Sequence, residues 1–204
     1  MNSNPSLVLS HDNPRNTTLD CDALGIHYQV TSDSHLLVTS KTTRVHRWDR
    51  RSNQNILVAE WIRHNFHSDE FKFPNSNGGV TVPVKTFMDC HLGFATNEWS
   101  FVGNDGRRYT WQEKTHLVLP KKIFAFFKCF VSEDGREGAP IARYHGKSHL
   151  INAHNAYLEL LPGSERTLDT LVLTFLYVEW KRREQKQAAS AATQQAFTMS
   201  ATGA

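Results

Sequence analysis

The chain has 204 residues, of which 39% are hydrophobic and 11% aromatic, so it is about the size of one domain and too apolar to be disordered as a whole. Its 23 Lys and Arg against 20 Asp and Glu give a net charge of +3, which is too small to indicate nucleic-acid binding. Cys21, Cys90 and Cys129 are odd in number and far apart, which excludes a paired disulfide framework and predicts small buried side chains.

The N-terminal segment lacks the charged start and the apolar run of about 7 to 15 residues that mark a secretory signal. No segment reaches the ~20 apolar residues that a spanning helix needs. We therefore expect an intracellular protein, cytoplasmic or nuclear, without a transmembrane segment. Residues 1–5 are predicted to be a short tail and residues 6–187 one domain, whereas residues 188–204, rich in Ala, Ser, Thr and Gln, are predicted to be a disordered tail.

From Leu7 to Leu161 the sequence consists of short runs rich in Val, Ile, Thr, Phe, Tyr and Trp, separated by turn residues. This pattern is typical of an antiparallel β-sandwich or barrel with about 10 to 12 strands. Alternation is clearest at residues 26–30, and the strongest hairpin spans residues 98–112 around the turn Gly103 to Gly106. Pro83 predicts an edge strand, because proline cannot donate to a neighbouring strand.

In the last apolar segment, residues 168–180, only Thr174 and Glu179 interrupt the apolar residues between Leu171 and Trp180. A helix that is apolar on nearly every side must be enclosed. We predict a closed antiparallel β-barrel that encloses a C-terminal helix over residues 168–187. The cations that follow, Lys181 to Arg183, are expected to lie in water at the end of the helix. The predicted core residues of the helix are Leu168, Leu171, Val172, Phe175, Leu176 and Val178.

The strand motifs at residues 109–111, 142–144 and 157–159, and above all the helix from Leu168 to Arg183, resemble a fungal family known as domain of unknown function 6593. The resemblance covers about residues 6–187. It implies a barrel distantly related to the tubby-like, LURP-one-like and phospholipid-scramblase-like folds, with the helix at its centre. Tubby domains bind phosphoinositide head groups through surface cations, and scramblase-like proteins act at membranes, but the family itself has no assigned catalytic residues.

The most basic stretch is residues 41–51, KTTRVHRWDRR. If Arg44, His46 and Trp48 share one strand face, they form a candidate patch for the phosphates of an anionic lipid surface. The alternative is an ordinary solvated outer face of the barrel. The candidate ligand-binding residues are Lys41, Arg44, His46, Arg47, Trp48, Arg50 and Arg51.

A protein partner is the second hypothesis, because Phe66, Phe71 and Phe73 make residues 64–73 more aromatic than a connecting loop requires. The pairs His64 with His67 and Cys90 with His91 have no partner pair at a zinc-site spacing. No nucleophile elbow, phosphate loop or dinucleotide fingerprint is present in the sequence. We therefore predict a non-catalytic binding module without a metal or cofactor, and an uncharacterised hydrolase remains the third hypothesis.

Overall fold

The computed structural model of the chain describes residues 4–33, 40–50, 52–75, 79–93, 96–118, 122–133, 136–148 and 153–201. These residues form a mainly β protein with one long C-terminal helix, which confirms the predicted class. The strands are β1 (Ser6–Leu9), β2 (Thr17–Cys21), β3 (Ile26–Ser32), β4 (Ser40–Asp49), β5 (Gln54–His64), β6 (Glu70–Phe73), β7 (Val80–Pro83), β8 (Met88–Leu92), β9 (Thr96–Val102), β10 (Arg108–Val118), β11 (Lys122–Glu133), β12 (Arg136–His145) and β13 (Tyr157–Leu160). The helices are α1 (Val84–Phe87) and α2 (Leu168–Ala201), preceded by a 3-10 turn at Ser164–Thr167.

All the strands belong to one sheet of 13 strands in the order β7-β6-β5-β4-β3-β2-β1-β13-β12-β11-β10-β9-β8, with antiparallel neighbours. The two edge strands, β7 and β8, follow each other in the chain and are joined by the four residues of α1. The five steps along the chain from Pro83, the end of β7, to Met88, the start of β8, span at most about 18 Å. The sheet therefore curls until its two edges approach each other at α1. In the described part of the chain no hydrogen-bonded pairing joins β7 to β8, so the sheet is not closed as the predicted barrel would be.

The curled sheet wraps around the first half of α2. Leu171, Val172, Phe175, Leu176 and Val178 are at most 1% exposed, and Leu168 packs half-buried against the same core. Distant strands contact the helix from different sides: Trp61 of β5 lies 5.2 Å from Tyr177, and Trp111 of β10 lies 5.8 Å from Phe175, measured between ring centroids. The apolar helix is therefore enclosed on all sides by the inner face of the sheet.

The hairpin predicted at residues 98–112 is formed by β9 and β10. Its turn is held by two backbone hydrogen bonds, from Gly103 to the carbonyl of Arg107 at 2.8 Å and from Gly106 to the carbonyl of Gly103 at 3.0 Å. Gly106 has a φ of 77°, a left-handed conformation that a residue without a Cβ adopts at low cost. The turn lies against the start of α2, where the Asn104 N–H donates to Thr167 Oγ1 at 3.3 Å.

The helix does not end near Gln187: it continues to Ala201, so residues 188–201 are helical rather than disordered. This segment is rich in Ala and Gln, which favour helix, and its side chains from Glu184 to Gln194 are exposed. Helical propensity thus extends α2 beyond the sheet without help from packing. Within the described residues, no helix has the length and apolar character needed to cross a bilayer.

Candidate functional site

The predicted basic stretch lies on β4 and the turn after it. Thr43 and Val45 are each 1% exposed and point inward, so the alternating residues Arg44, His46 and Trp48 share the outer face. Arg44 is paired on this face with two carboxylates that the sequence pattern did not place beside it. Its Nη1 lies 2.8 Å from Asp33 Oδ1 and its Nε lies 3.0 Å from Glu60 Oε1.

Hydrogen bonding to Asp33 and Glu60 raises the pKa of Arg44, against the effect of its burial. Much of its charge is therefore already satisfied within the chain. Lys41 and Arg50 of the same stretch are exposed, and Arg51 lies outside the described residues. The stretch thus offers fewer available cations than its sequence suggests.

Arg47 points to the opposite face of β4, toward the start of α2. Its Nη1 lies 2.8 Å from both carboxylate oxygens of Asp169, and Tyr28 donates its hydroxyl to the same carboxylate at 2.5 Å. Burial opposes the charge of Arg47, but Asp169 and Tyr28 leave its pKa above the ordinary value. Burial, followed by the negative charge of Asp169, raises the pKa of Tyr28 well above its usual range. Arg47 therefore ties β4 to the helix and is not available to a ligand.

A second group of cations surrounds Trp180, where α2 leaves the sheet. We name Arg15, Arg63, Trp180 and Lys181 the rim cluster. Arg15 comes from the loop between β1 and β2, and Arg63 lies near the end of β5. The Trp180 ring centroid lies 4.8 Å from Arg63 Cζ, 5.7 Å from Arg15 Cζ and 4.5 Å from Lys181 Nζ. All three distances are within the range of cation–π contacts.

The two arginines of the rim cluster differ from Arg44 and Arg47 in their partners. Among the described residues, no carboxylate lies within 4 Å of the guanidinium of Arg15 or Arg63, and the Nε atoms of both are buried without a hydrogen bond. Burial lowers the pKa of Arg15, and burial together with the charge of Arg15 lowers the pKa of Arg63. Asp69 acts on Arg63, and Glu184 acts on both arginines, only from a longer range. Within the described part of the chain, Arg15 and Arg63 of the rim cluster therefore have no direct ion pair, whereas the Nζ of its Lys181 lies 3.6 Å from Asp69 and 3.5 Å from Glu184.

No sequence pattern indicates a site at Arg15 or Arg63, since each is a single cation in its own segment. Only Trp180 and Lys181 stand beside a recognisable basic run. Trp61, which is 1% exposed, packs its ring edge-on to Trp180 with 5.0 Å between centroids and so fixes the ring against β5. The arginines meet at Trp180 because β1, β2 and β5 lie on the same side of the curled sheet.

The next residue along α2 contradicts an expectation from the sequence. Arg182 is 5% exposed and does not lie in water, because α2 continues and the sheet still covers this face. Arg182 donates one hydrogen bond to Glu179 and another to Glu113 Oε1, the latter at 2.6 Å. Its Cζ lies 4.4 Å from the ring centroid of Phe127. Burial favours the neutral forms of Arg182 and Glu113. The hydrogen bond between them, together with the nearby opposite charges, outweighs burial, so the pKa of Arg182 is raised and the pKa of Glu113 is lowered.

A cavity of about 620 Å³ lies beside β8, between that strand, residues 64–69 and α2, and we name it the seam cavity. Its titratable residues pair locally: His64 Nε2 lies 3.3 Å from Glu70 and Lys181 Nζ lies 3.6 Å from Asp69. Burial raises the pKa of the Cys90 thiol, more than Lys181 lowers it. In the described part of the chain, no three His, Cys, Asp or Glu side chains converge as metal ligands would.

The aromatic segment predicted to meet a protein partner is divided by the fold. Phe71 is fully buried and contacts Tyr177 at 5.5 Å between ring centroids, and Phe73 packs half-buried against the core. Phe66 alone of these three is exposed, at 86%. Two of the three rings therefore serve the core around α2.

Fold and site together define a mainly β protein whose curled sheet encloses one helix, with its charged and open features at the rim and the seam of the sheet. A model of a family of unknown function, DUF6593, matches residues 12–184, and the chain belongs to this family. This confirms the family that the sequence resembled. No curated protein matched the chain, and no solved structure matched it.

Proposed function

We propose that the chain is a non-catalytic binding module that recognises a phosphate group at the rim cluster, with anionic phospholipid head groups as the source. The observation that carries this proposal is the pair of guanidinium groups on Trp180 without a carboxylate within 4 Å in the described structure. Two like charges held together favour an anion between them, because it compensates both. Arginine also binds phosphate oxygens through forked hydrogen bonds.

The filled interior supports a site at the rim. Thr170, Leu171, Val172, Thr174 and Phe175 are each at most 4% exposed, so the helix leaves little interior space for a ligand. In many sheets that wrap into barrels, ligands enter an open interior, whereas here the helix fills the centre and the open spaces lie at the rim and at the seam cavity. This arrangement, with edge strands that approach each other at α1, is also what we expect of a tubby-like barrel.

A catalytic role is less well supported by the geometry. Cys90 is the one exposed cysteine, and a nucleophilic cysteine needs a lowered pKa, whereas burial raises the pKa of Cys90. His64, one of the histidines that line the seam cavity, pairs with Glu70. The arrangement therefore favours binding over nucleophilic catalysis.

The experiment compares binding of the full chain to vesicles of phosphatidylcholine alone and to vesicles that also contain a phosphoinositide. Cosedimentation is measured at about 0.1 M and 0.5 M salt, because screening weakens contacts between exposed charges. We expect binding to the phosphoinositide vesicles at low salt, and loss of that binding at high salt. Inorganic phosphate and a soluble inositol phosphate are titrated separately, so that a preference for free phosphate is distinguished from a preference for a membrane.

Two double variants remove equal charge from the two candidate surfaces. The Arg15→Gln, Arg63→Gln variant is expected to bind phosphoinositide vesicles about 30-fold more weakly, since each cation near an anionic surface contributes about 1 kcal/mol. The Lys41→Gln, Arg50→Gln variant removes two exposed cations of the β4 stretch and is expected to bind like the unmodified chain. Equal losses in both variants, or binding unaffected by the first, would exclude the rim cluster. Binding of soluble phosphate without vesicle binding would keep the site and reassign its ligand.

A further inference from the structure

Strand β8 ends the sheet on one side, and its backbone groups divide into two sets. The Gly93 N–H donates to the Thr96 carbonyl at 2.9 Å, in register with the pairing of β8 and β9. In an antiparallel ladder, hydrogen-bonded pairs alternate with pairs that point away. Asp89 and His91 therefore face β9, whereas Met88, Cys90 and Leu92 direct their backbone groups to the free side. No described residue forms a strand on that side.

The other edge strand, β7, is protected from pairing. The Val84 N–H donates to the Asp69 carbonyl at 2.8 Å and extends the ladder of β6 and β7. The same alternation leaves Thr81 and Pro83 facing the free side of β7. Proline has no N–H, and its presence on an edge strand is a common means of preventing edge-to-edge association. Strand β8 carries no proline, so the two edges are not equivalent.

The side chains of β8 after Met88 are also uncovered, whereas Met88 itself is 3% exposed. Cys90 shares the inner face with its register partner Trp99, but Trp99 is 3% exposed whereas Cys90 is exposed. Leu92, also on the inner face, is 56% exposed. The seam cavity separates β8 from residues 64–69 and keeps that part of the chain away from this edge.

We propose that the free edge of β8 pairs antiparallel with β8 of a second copy of the chain, centred on Cys90. The five-residue sequence of the strand is complementary to itself in this register. Asp89 lies opposite His91 of the second copy, so a carboxylate meets an imidazole on the outer face. On the inner face the exposed Leu92 lies opposite Met88, whose side chain is buried in the core. Such a contact is isologous, as in most two-fold dimers.

The backbone groups fit the same register. Cys90 exchanges two hydrogen bonds with Cys90 of the second copy, and each Leu92 N–H donates to a Met88 carbonyl across the interface. The Met88 N–H is already bonded to the Val84 carbonyl at the end of α1 and is not needed. Asp89 pairs within its own chain with Arg108 at 3.0 Å, but both side chains are exposed, and exposed pairs of this kind are weak.

The register places the two Cys90 Cα atoms about 5.5 Å apart, the spacing of a hydrogen-bonded antiparallel pair, which a disulfide can span. Cys90 is exposed, whereas Cys21 and Cys129 are 3% and 0% exposed. Diamide, which accepts the two hydrogens of the two thiols, is therefore a specific trap for this dimer. We expect the full chain to form a covalent dimer with diamide, and the Cys90→Ser variant to form none.

The dimer is also measured without covalent trapping, by sedimentation over a series of protein concentrations. The contact is short, so we expect a weak dimer whose population rises with concentration. Asp89→Lys is expected to weaken it by about 2- to 30-fold, because two symmetric Asp89–His91 contacts are lost. Adding His91→Asp to Asp89→Lys places a lysine opposite an aspartate across the interface and is expected to restore association. Thermal unfolding of each variant confirms that the chain still folds.

A matched control places the cysteine on the other edge. In the Cys90→Ser background, Thr81→Cys introduces an exposed thiol on β7, and we expect diamide to trap it much less efficiently. Equal trapping from both edges would indicate random collision and overturn the proposal, as would a monomer at every concentration with no Cys90-dependent trapping. A monomer whose β8 amides are protected from hydrogen exchange only by an added extended peptide would assign the edge to another strand donor and reject the second copy.

Discussion

Replacing Arg182 with Met tests whether the buried charges around the helix stabilise the fold as a connected unit. The side chain is 6% exposed and contacts Glu113 and Glu179, whose side chains are 7% and 6% exposed. Met has a comparable length but no charge, so Arg182→Met leaves two buried carboxylates without their shared partner. Removing one partner of a buried ion pair costs about 3–5 kcal/mol. For a chain of this size this lowers Tm by about 6–20 °C.

The loss should depend on pH. Burial by itself would raise the pKa of Glu113 in the folded chain. The hydrogen bond with Arg182 opposes this effect, and the net result is a lowered pKa. A lowered folded pKa stabilises the protein above the unfolded value of about 4.3 and loses that effect as the pH falls through the folded pKa. Without Arg182, burial dominates and the folded pKa of Glu113 rises above its unfolded value. We therefore expect the difference between variant and unmodified chain to shrink as the pH is lowered from 7 to about 5.

Urea unfolding at pH 7 and at about pH 5 measures both effects. Lys186→Met is the matched control, because Lys186 Nζ lies 3.5 Å from the same Glu113 but its side chain is 62% exposed. Because the Lys186 side chain is exposed to water, we expect its contact to contribute about as much as a surface ion pair, about 0–1 kcal/mol. If Arg182→Met were no more destabilising than Lys186→Met, or if its cost were the same at both pH values, the assignment of Arg182 to a stabilising buried network would be wrong.

Three further outcomes are expected. Phe175→Ala should cost about 3–5 kcal/mol, because the ring is fully buried, whereas Phe66→Ala should change the free energy of unfolding by less than about 0.5 kcal/mol in the same urea assay. The pKa values of Tyr28 and Tyr109 are raised in the folded chain, so the two protonated hydroxyls stabilise the fold below the unfolded pKa of about 10 and lose that effect at higher pH. Unfolding curves should therefore show progressive destabilisation above about pH 10. Trp180→Leu should weaken phosphoinositide binding by about 5-fold or more through loss of the cation–π support, and vesicle binding unchanged by this variant would contradict the proposed site.

The features that the sequence predicted are those encoded within a short segment. Residues 168–180 are apolar on nearly every side, so their burial as a helix follows from local composition. The β9 and β10 hairpin follows from its glycine turn, and the edge position of β7 follows from Pro83. The sequence does not predict the end of α2, because an Ala-rich exposed segment carries helical propensity but no amphipathic pattern.

The charges could not be predicted in the same way, because their partners lie far along the chain. Arg44 contacts Glu60 on the neighbouring strand, and Arg47 contacts Asp169, which lies 122 residues further along the chain. Counting cations in residues 41–51 therefore overestimated the charge available for a ligand. Conversely, Arg15 and Arg63 become a pair only when the sheet brings their strands to Trp180, and nothing in either segment indicates this.

The polar residues within the buried length of α2 fix the rotation of the helix inside the sheet. Near its start Asp169 is held by Arg47, in its middle Thr174 Oγ1 accepts a hydrogen bond from Trp111 Nε1 at 3.0 Å, and near the rim Arg182 is held by β10. With 3.6 residues per turn, a slip of one residue rotates the helix by about 100° and breaks all three contacts. Trp180 is therefore presented to Arg15 and Arg63 in one orientation, and a ligand at the rim cluster meets a surface that the buried contacts have already arranged.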